Sequence, residues 1–125
     1  MNLDPQKILW VRQGEGAAAS GNVPVEAPVF QDHFPEFPVL PGVLSLEILK
    51  KTAEVYLREF RPGKKYSVRE VRNGKFSSYL KPGDAWESQA KVISETQDQT
   101  EWEMRLLHQN RAAASACMIL RETGA

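Results

Sequence analysis

From Pro41 to about Phe60 the apolar positions recur every three or four residues, and Leu46, Leu49, Ala53, Tyr56 and Phe60 fall on one stripe. That is the period of an α-helix. Pro41 suits the first turn, where its missing N–H costs nothing. Between Val43 and Leu49 the chain is apolar on nearly every side, which predicts burial on several faces. The run RPGKK at 61–65 ends the helix. Elsewhere the pattern changes to alternation. KILWVR at 7–12 has strand content, GEG at 14–16 signals a turn, and AAASGNVPV predicts a weak second strand leading into a proline-rich loop. After the helix, YSVREV alternates, an Asn73-Gly74 turn precedes GKFSSYL, and KPGD at 81–84 forms another turn. AWESQAKVISE, TEWEMRLLH and RAAASACMILRE follow, separated by TQDQ and HQNR as in antiparallel hairpins. Alanine would make the last of these helical by propensity. Its strand neighbours argue otherwise, and small side chains on a strand let a helix approach closely. The expected architecture is α+β: a long central helix, about five antiparallel strands after it, and one or two before. Such a sheet has open edges, which pairing with a second copy would cover, so a homodimer or higher assembly is expected.

The composition narrows the class. With 125 residues, 42% hydrophobic and 26% charged, the chain suits one globular domain spanning residues 1–125. No apolar run reaches the ~20 residues of a membrane span, and the N-terminus lacks the apolar core of a signal peptide. A lone cysteine, Cys117, excludes an internal disulfide framework and fits a reducing compartment, so a cytoplasmic location is expected. Its apolar surroundings predict a buried filler. The net charge is zero but uneven: residues 50–81 hold ten basic side chains against three acidic ones, a net +7. A solvated face and a patch for an acidic partner explain this equally well. Too few aromatics accompany the basic residues for nucleic-acid binding.

The chemistry concentrates in one segment, QDHFPEFPVLPGVLSLEIL from Gln31. Pro35, Pro38 and Pro41 forbid a helix before position 41, so His33 sits in an extended stretch ahead of the helix start. On the residues alone His33 can be a loop histidine capping a turn or a proton acceptor. Glu47 shares a stripe with Lys50, Lys51, Glu54 and Arg58, and has the favourable i, i+4 order for a surface pair with Lys51. It can equally be a solvated carboxylate or a functional acid. Asp32, His33 and His108 have no familiar metal-ligand spacing, so no metal is expected, and His108 reads as a strand-end residue.

HFPEFPVLPGVLSLE resembles the HFPxxPVxPGxLxxE/D motif of the FabA/FabZ-type β-hydroxyacyl-acyl carrier protein dehydratases, matching at His33, Phe34, Pro35, Pro38, Val39, Pro41, Gly42, Leu44 and Glu47. KFSSYLKPGD resembles the family's later KFxxxVxPGD stretch. The resemblance implies a hot-dog fold, a helix rolled in an antiparallel sheet. It also implies a catalytic pair, His33 and Glu47, meeting across a dimer interface. Gly42, with Val43 beside it, would offer backbone N–H to the thioester carbonyl, while Phe34, Phe37, Leu40 and Leu44 would exclude water. The implied reaction removes water from a 3-hydroxyacyl thioester on acyl carrier protein, with no dissociable cofactor. The acidic carrier would dock on the region of Lys50, Lys51, Arg58, Lys64 and Lys65. Where the family usually has glutamine this chain has Lys51, so a Glu47–Lys51 pair is an expectation the structure can test. A hot-dog acyl thioesterase, with Glu47 activating water, and a non-catalytic acyl-binding or partner subunit are the alternatives.

Overall fold

The computed structural model describes residues 2–25 and 39–123. Two strands, β1 (Lys7–Arg12) and β2 (Gly16–Asn22), precede the helix α1 (Gly42–Phe60); β3 (Tyr66–Phe76), β4 (Ala85–Glu95), β5 (Gln99–His108) and β6 (Arg111–Glu122) follow it. The six strands form one sheet in the order β1-β2-β4-β5-β6-β3, antiparallel throughout. This is the hot-dog arrangement that the resemblance implies. No described helix is long and apolar enough to cross a membrane.

The helix lies chiefly over β2 and β4, with β5 and β1 at its flanks. β2 is no weak strand. It runs between β1 and β4 with Ala17, Ala18 and Ala19 fully buried, and its small side chains are what let the helix come close. The role expected of the alanines in β6 therefore belongs to β2. β6 is nonetheless a strand, because it pairs along its length with β5 on one side and β3 on the other. Two full ladders outweigh the few tenths of a kcal/mol per residue by which alanine favours helix. Ile48, Leu49, Ala53, Val55, Tyr56 and Leu57 carry the helix's share of the core, against Trp86, Ala90, Trp102, Met104 and Leu106. Inside it, Thr52 satisfies its hydroxyl by donating to Ser88 Oγ at 2.7 Å. Near the helix's C-terminal end Tyr56 Oη accepts the Gly14 N–H at 2.8 Å and donates to Glu95 Oε2 at 3.0 Å.

Three expectations need correction. Asn73-Gly74 does not separate two strands: β3 continues through it, Asn73 takes a left-handed φ of 55°, and pairing jumps from Arg72↔Cys117 to Lys75↔Ser115. An Asn-Gly pair supplies positive φ for a hairpin and for a bulge alike. Four strands, not five, thus follow the helix, and most of GKFSSYL lies beyond the strand. Nor is the first half of the helix buried all round, since Ser45, Ile48 and Leu49 are buried while Val43 is 71% exposed. Cys117 is only half-buried, a free thiol on the face of β6 opposite the buried Met118.

Candidate active site

The helix begins without a side-chain cap. Pro41 precedes it, no acidic residue occupies its first turn, and the Pro41 carbonyl takes the N–H groups of Leu44 at 2.9 Å and Ser45 at 3.2 Å. The amides of Gly42 and Val43 come before any intrahelical partner, at the positive end of the helix dipole. Gly42 is half-buried and Val43 exposed. The absent side chain at 42 has a visible reason: a Cβ there would sit 3.1 Å from Phe76 Cε1 and 3.2 Å from Cζ, and the ring would have to move by a few tenths of an ångström. Phe76, the last residue of β3, thus packs directly on the backbone of the first residue of α1.

Five residues on, Glu47 is half-buried. Among the described residues no cation lies within ion-pair distance of it. The expected Glu47–Lys51 pair does not form, because Lys51 Nζ donates to Asp4 Oδ1 at 2.8 Å. That hydrogen bond, with the attraction behind it, holds the Asp4 carboxyl below its ordinary value. The same bond raises Lys51 against the opposing effect of burial, and the fields of Glu47 and Glu54 add less. Asp4 stands 47 positions from Lys51, so no local pattern could have revealed the partnership.

Of the other residues expected at the site, His33, Phe34 and Phe37 lie outside the described residues. Leu40 is completely buried and tied to the connection between β3 and β4 by its N–H to the Leu80 carbonyl at 2.6 Å. Leu44 is half-buried and packs on the core. Sequence reasoning missed Phe76, 37% exposed and packed on Gly42, which stacks on Tyr79, 50% exposed, with centroids 6.3 Å apart and planes within 3°. Both belong to KFSSYL, so the signal was present, but nothing in it pointed to the helix start. His108 ends β5 as expected. Its Nδ1 lies 2.6 Å from the Ala85 carbonyl oxygen, which requires the proton on that nitrogen, and its Nε2 is 3.7 Å from Asp84.

The basic residues are not equally available. Lys51 is held by Asp4, and Lys64 lies 3.6 Å from Glu122 and donates to the Gln97 carbonyl. Lys50, Arg58 and Lys65 have no ion-pair partner among the described residues. Arg58, Lys64 and Lys65 gather at the far end of the helix, ~27 Å from Gly42 at 1.5 Å per residue.

A family model described as ApeI-like, ApeI dehydratase, matches residues 10–116. The chain is 39% identical over 89 residues to 3-hydroxyacyl-acyl carrier protein dehydratase FabZ of Oceanobacillus iheyensis, covering 70% of this chain and 64% of that protein. It is 37% identical over 90 residues to the FabZ of Acetivibrio thermocellus, covering 70% and 62%. The chain therefore matches less than two thirds of the length of these relatives. Among solved structures it resembles a chain of the dehydratase heterocomplex ApeI:P from Xenorhabdus doucetiae, with a TM-score of 0.77 at 11% identity over 96% of this chain and 82% of that one. It also resembles a mutant thioesterase from Pseudomonas aeruginosa, with a TM-score of 0.68 at 16% identity over 93% and 79%. At such identities the structures establish the fold, which dehydratases and thioesterases share, and the family model separates them: the chain belongs to the ApeI-like dehydratase family.

Proposed function

We propose that the protein removes water from a 3-hydroxyacyl thioester carried on an acyl carrier protein, leaving the trans-2-enoyl thioester. The observation that carries this reading is the setting of the PGVLSLE segment, which opens an uncapped helix at Gly42 and brings onto that helix a half-buried Glu47 that Lys51 does not pair with. The elimination needs a base at C2, stabilisation of the enolate-like oxygen, and a proton for the hydroxyl leaving C3. His33 takes the C2 proton, as an imidazole titrating near neutrality can. The C2 electron pair delocalises towards the thioester oxygen, which the Gly42 and Val43 amides and the helix dipole stabilise. The C2–C3 double bond forms as the C3–O bond breaks, and Glu47 supplies the proton that turns the departing hydroxide into water, directly or through a bound water. Phe34, Phe37, Leu40 and Leu44 keep the slot dry. The thioester, not a dissociable cofactor, supplies the electron sink.

His33 of one protomer serves Glu47 of the other, so the site requires a homodimer. The eleven-residue β3 is an open edge of the sheet and exposed along nearly all its length. Val68 and Val71 pair with the buried Leu120 and Met118 and so share their face, yet stand 38% and 39% exposed. A second β3 running antiparallel about a two-fold axis at Val71 would set Glu70 against Arg72 of the other copy, a self-complementary pair. The acidic carrier docks on Lys50, Arg58 and Lys65, with Lys51 and Lys64 contributing less because each already has an acidic partner. The reaction is placed in the cytoplasm.

Hydration of a crotonyl thioester, the reverse reaction, tests the reading. Wild-type protein should consume the enoyl chromophore and His33→Ala should not. Release of free thiol would support the thioesterase, and neither change would leave a non-catalytic subunit.

A further inference from the structure

The turn at residues 81–84, KPGD, closes on itself twice. The Asp84 N–H donates to the Lys81 carbonyl at 3.0 Å, with Gly83 at a left-handed φ of 84°. The Lys81 N–H donates back to Asp84 Oδ2 at 2.8 Å. That N–H belongs to the same peptide group as the Leu80 carbonyl, which accepts the Leu40 N–H at 2.6 Å. A single peptide group therefore has the Asp84 carboxylate on one side and Leu40 on the other. The same turn holds Val23, whose N–H donates to the Asp84 carbonyl at 2.9 Å and whose carbonyl accepts the Gly83 N–H at 2.8 Å. The chain thus leaves this turn at Val23 and returns to it at Leu40, two residues ahead of Gly42. We propose that Asp84 is a positioning residue of the dehydratase reaction, a carboxylate that sets the Gly42 and Val43 amides through the peptide group joining Leu80 to Lys81. The inference rests on the dehydratase reading above.

The peptide group transmits position because it is planar and rigid, with N–H and C=O pointing in opposite directions. Turning the N–H away from Asp84 turns the carbonyl away from Leu40. An ionised acceptor on the N–H also polarises the group, which strengthens the bond at its carbonyl. Leu40 and Leu80 are both buried, so water does not replace either partner if the two separate. Pro41 follows Leu40 and has no N–H, which makes the Leu40 bond the last one a backbone donor makes before the Gly42 amide. With the proline fixed at a φ of −56°, little slack remains between Leu40 and the helix start. The anchor is itself moored to the sheet: Asp84 Oδ2 lies 3.7 Å from Nε2 of His108, whose Nδ1 is held by the Ala85 carbonyl.

The test measures kcat and KM for a 3-hydroxybutyryl N-acetylcysteamine thioester, and amide hydrogen exchange, in the full-length wild type, Asp84→Ala, Asp84→Asn and Tyr56→Phe. Asp84→Ala should lower kcat by about ten- to a hundredfold, the scale on which a displacement remote from the reacting atoms acts, and leave KM within about threefold. Asp84→Asn should keep most of the rate, because its amide oxygen still accepts the Lys81 N–H. Tyr56→Phe, which weakens the far end of the helix, should leave kcat unchanged. In Asp84→Ala the Leu40 and Val23 amides should exchange about tenfold faster relative to those of β5. Should Asp84→Ala fail to fold by circular dichroism, Gly83→Ala, which strains the turn and keeps the carboxylate, decides by the same kcat and exchange readouts. A wild-type kcat in Asp84→Ala, an equal loss in Tyr56→Phe, or Leu40 and Val23 amides that exchange no faster would each overturn the inference while sparing the dehydratase reading. A folded wild type that does not dehydrate the thioester would remove that reading, and the inference with it, whatever the exchange shows.

Discussion

Asp4 decides the environment of Glu47 without touching it. While Lys51 is held by Asp4 it makes no ion pair with Glu47; released, it lies one helical turn away in the favourable i, i+4 order. Asp4→Asn should therefore let Lys51 pair with the Glu47 carboxylate and slow dehydration of a 3-hydroxybutyryl thioester by about twofold, the scale of an i, i+4 ion pair. Adding Lys51→Gln, the residue usual in the FabA/FabZ-type family, should restore the rate, whereas a rate that stays low would assign Asp4 some other role. The sign of the pH dependence follows from the two shifts. Asp4 lies below its ordinary 3.8, so its contribution is present above that value and is lost as pH falls through the lowered one. Lys51 lies above its ordinary 10.5, so its contribution is complete below 10.5 and is lost as pH rises through the raised value. Across the neutral range the tie is constant. Thermal denaturation from pH 5 to 9 should show the same loss in Asp4→Asn throughout.

At the level of elements, periodicity made the helix and the strands after residue 85 readable, because each has a face that must be buried. What the pattern could not reveal were events set by a partner distant in sequence. Asn73-Gly74 reads as a hairpin until β6 is seen to pair on both sides of it, and Gly42 reads only as an amide donor until Phe76 is found against its α-carbon. The motif made His33 and Glu47 legible as candidates, while Lys51's true partner was hidden by a separation of 47 positions. The bulge carries its own test: Asn73→Val places a β-branched side chain at a left-handed φ and should lower stability by ~1–2 kcal/mol, while Asn73→Gly should be tolerated. Equal melting temperatures for the two would contradict the bulge. Tyr56 joins the helix to the β1–β2 turn and to β4 through Gly14 and Glu95. Tyr56→Phe should cost about 1–2 kcal/mol, read as a lower denaturant midpoint, because the Gly14 N–H and the Glu95 carboxylate lose their shared partner.

For the whole molecule the account requires two copies. The bare valines on β3 and the exposed Val43 are apolar surface that a lone protomer leaves in water. Val71→Glu should shift the protein from dimer to monomer in sedimentation and abolish hydration together with it, since neither protomer then completes a site. A monomeric variant with full activity would contradict a shared site. The most direct measurement is complementation. His33→Ala and Glu47→Ala, each inactive alone, are co-expressed and purified as mixed dimers, and crotonyl-thioester hydration is assayed. Each mixed dimer then has one intact site of two, so activity should return to about half of wild type. No recovery from verified mixed dimers would contradict the pairing of His33 and Glu47 across the interface.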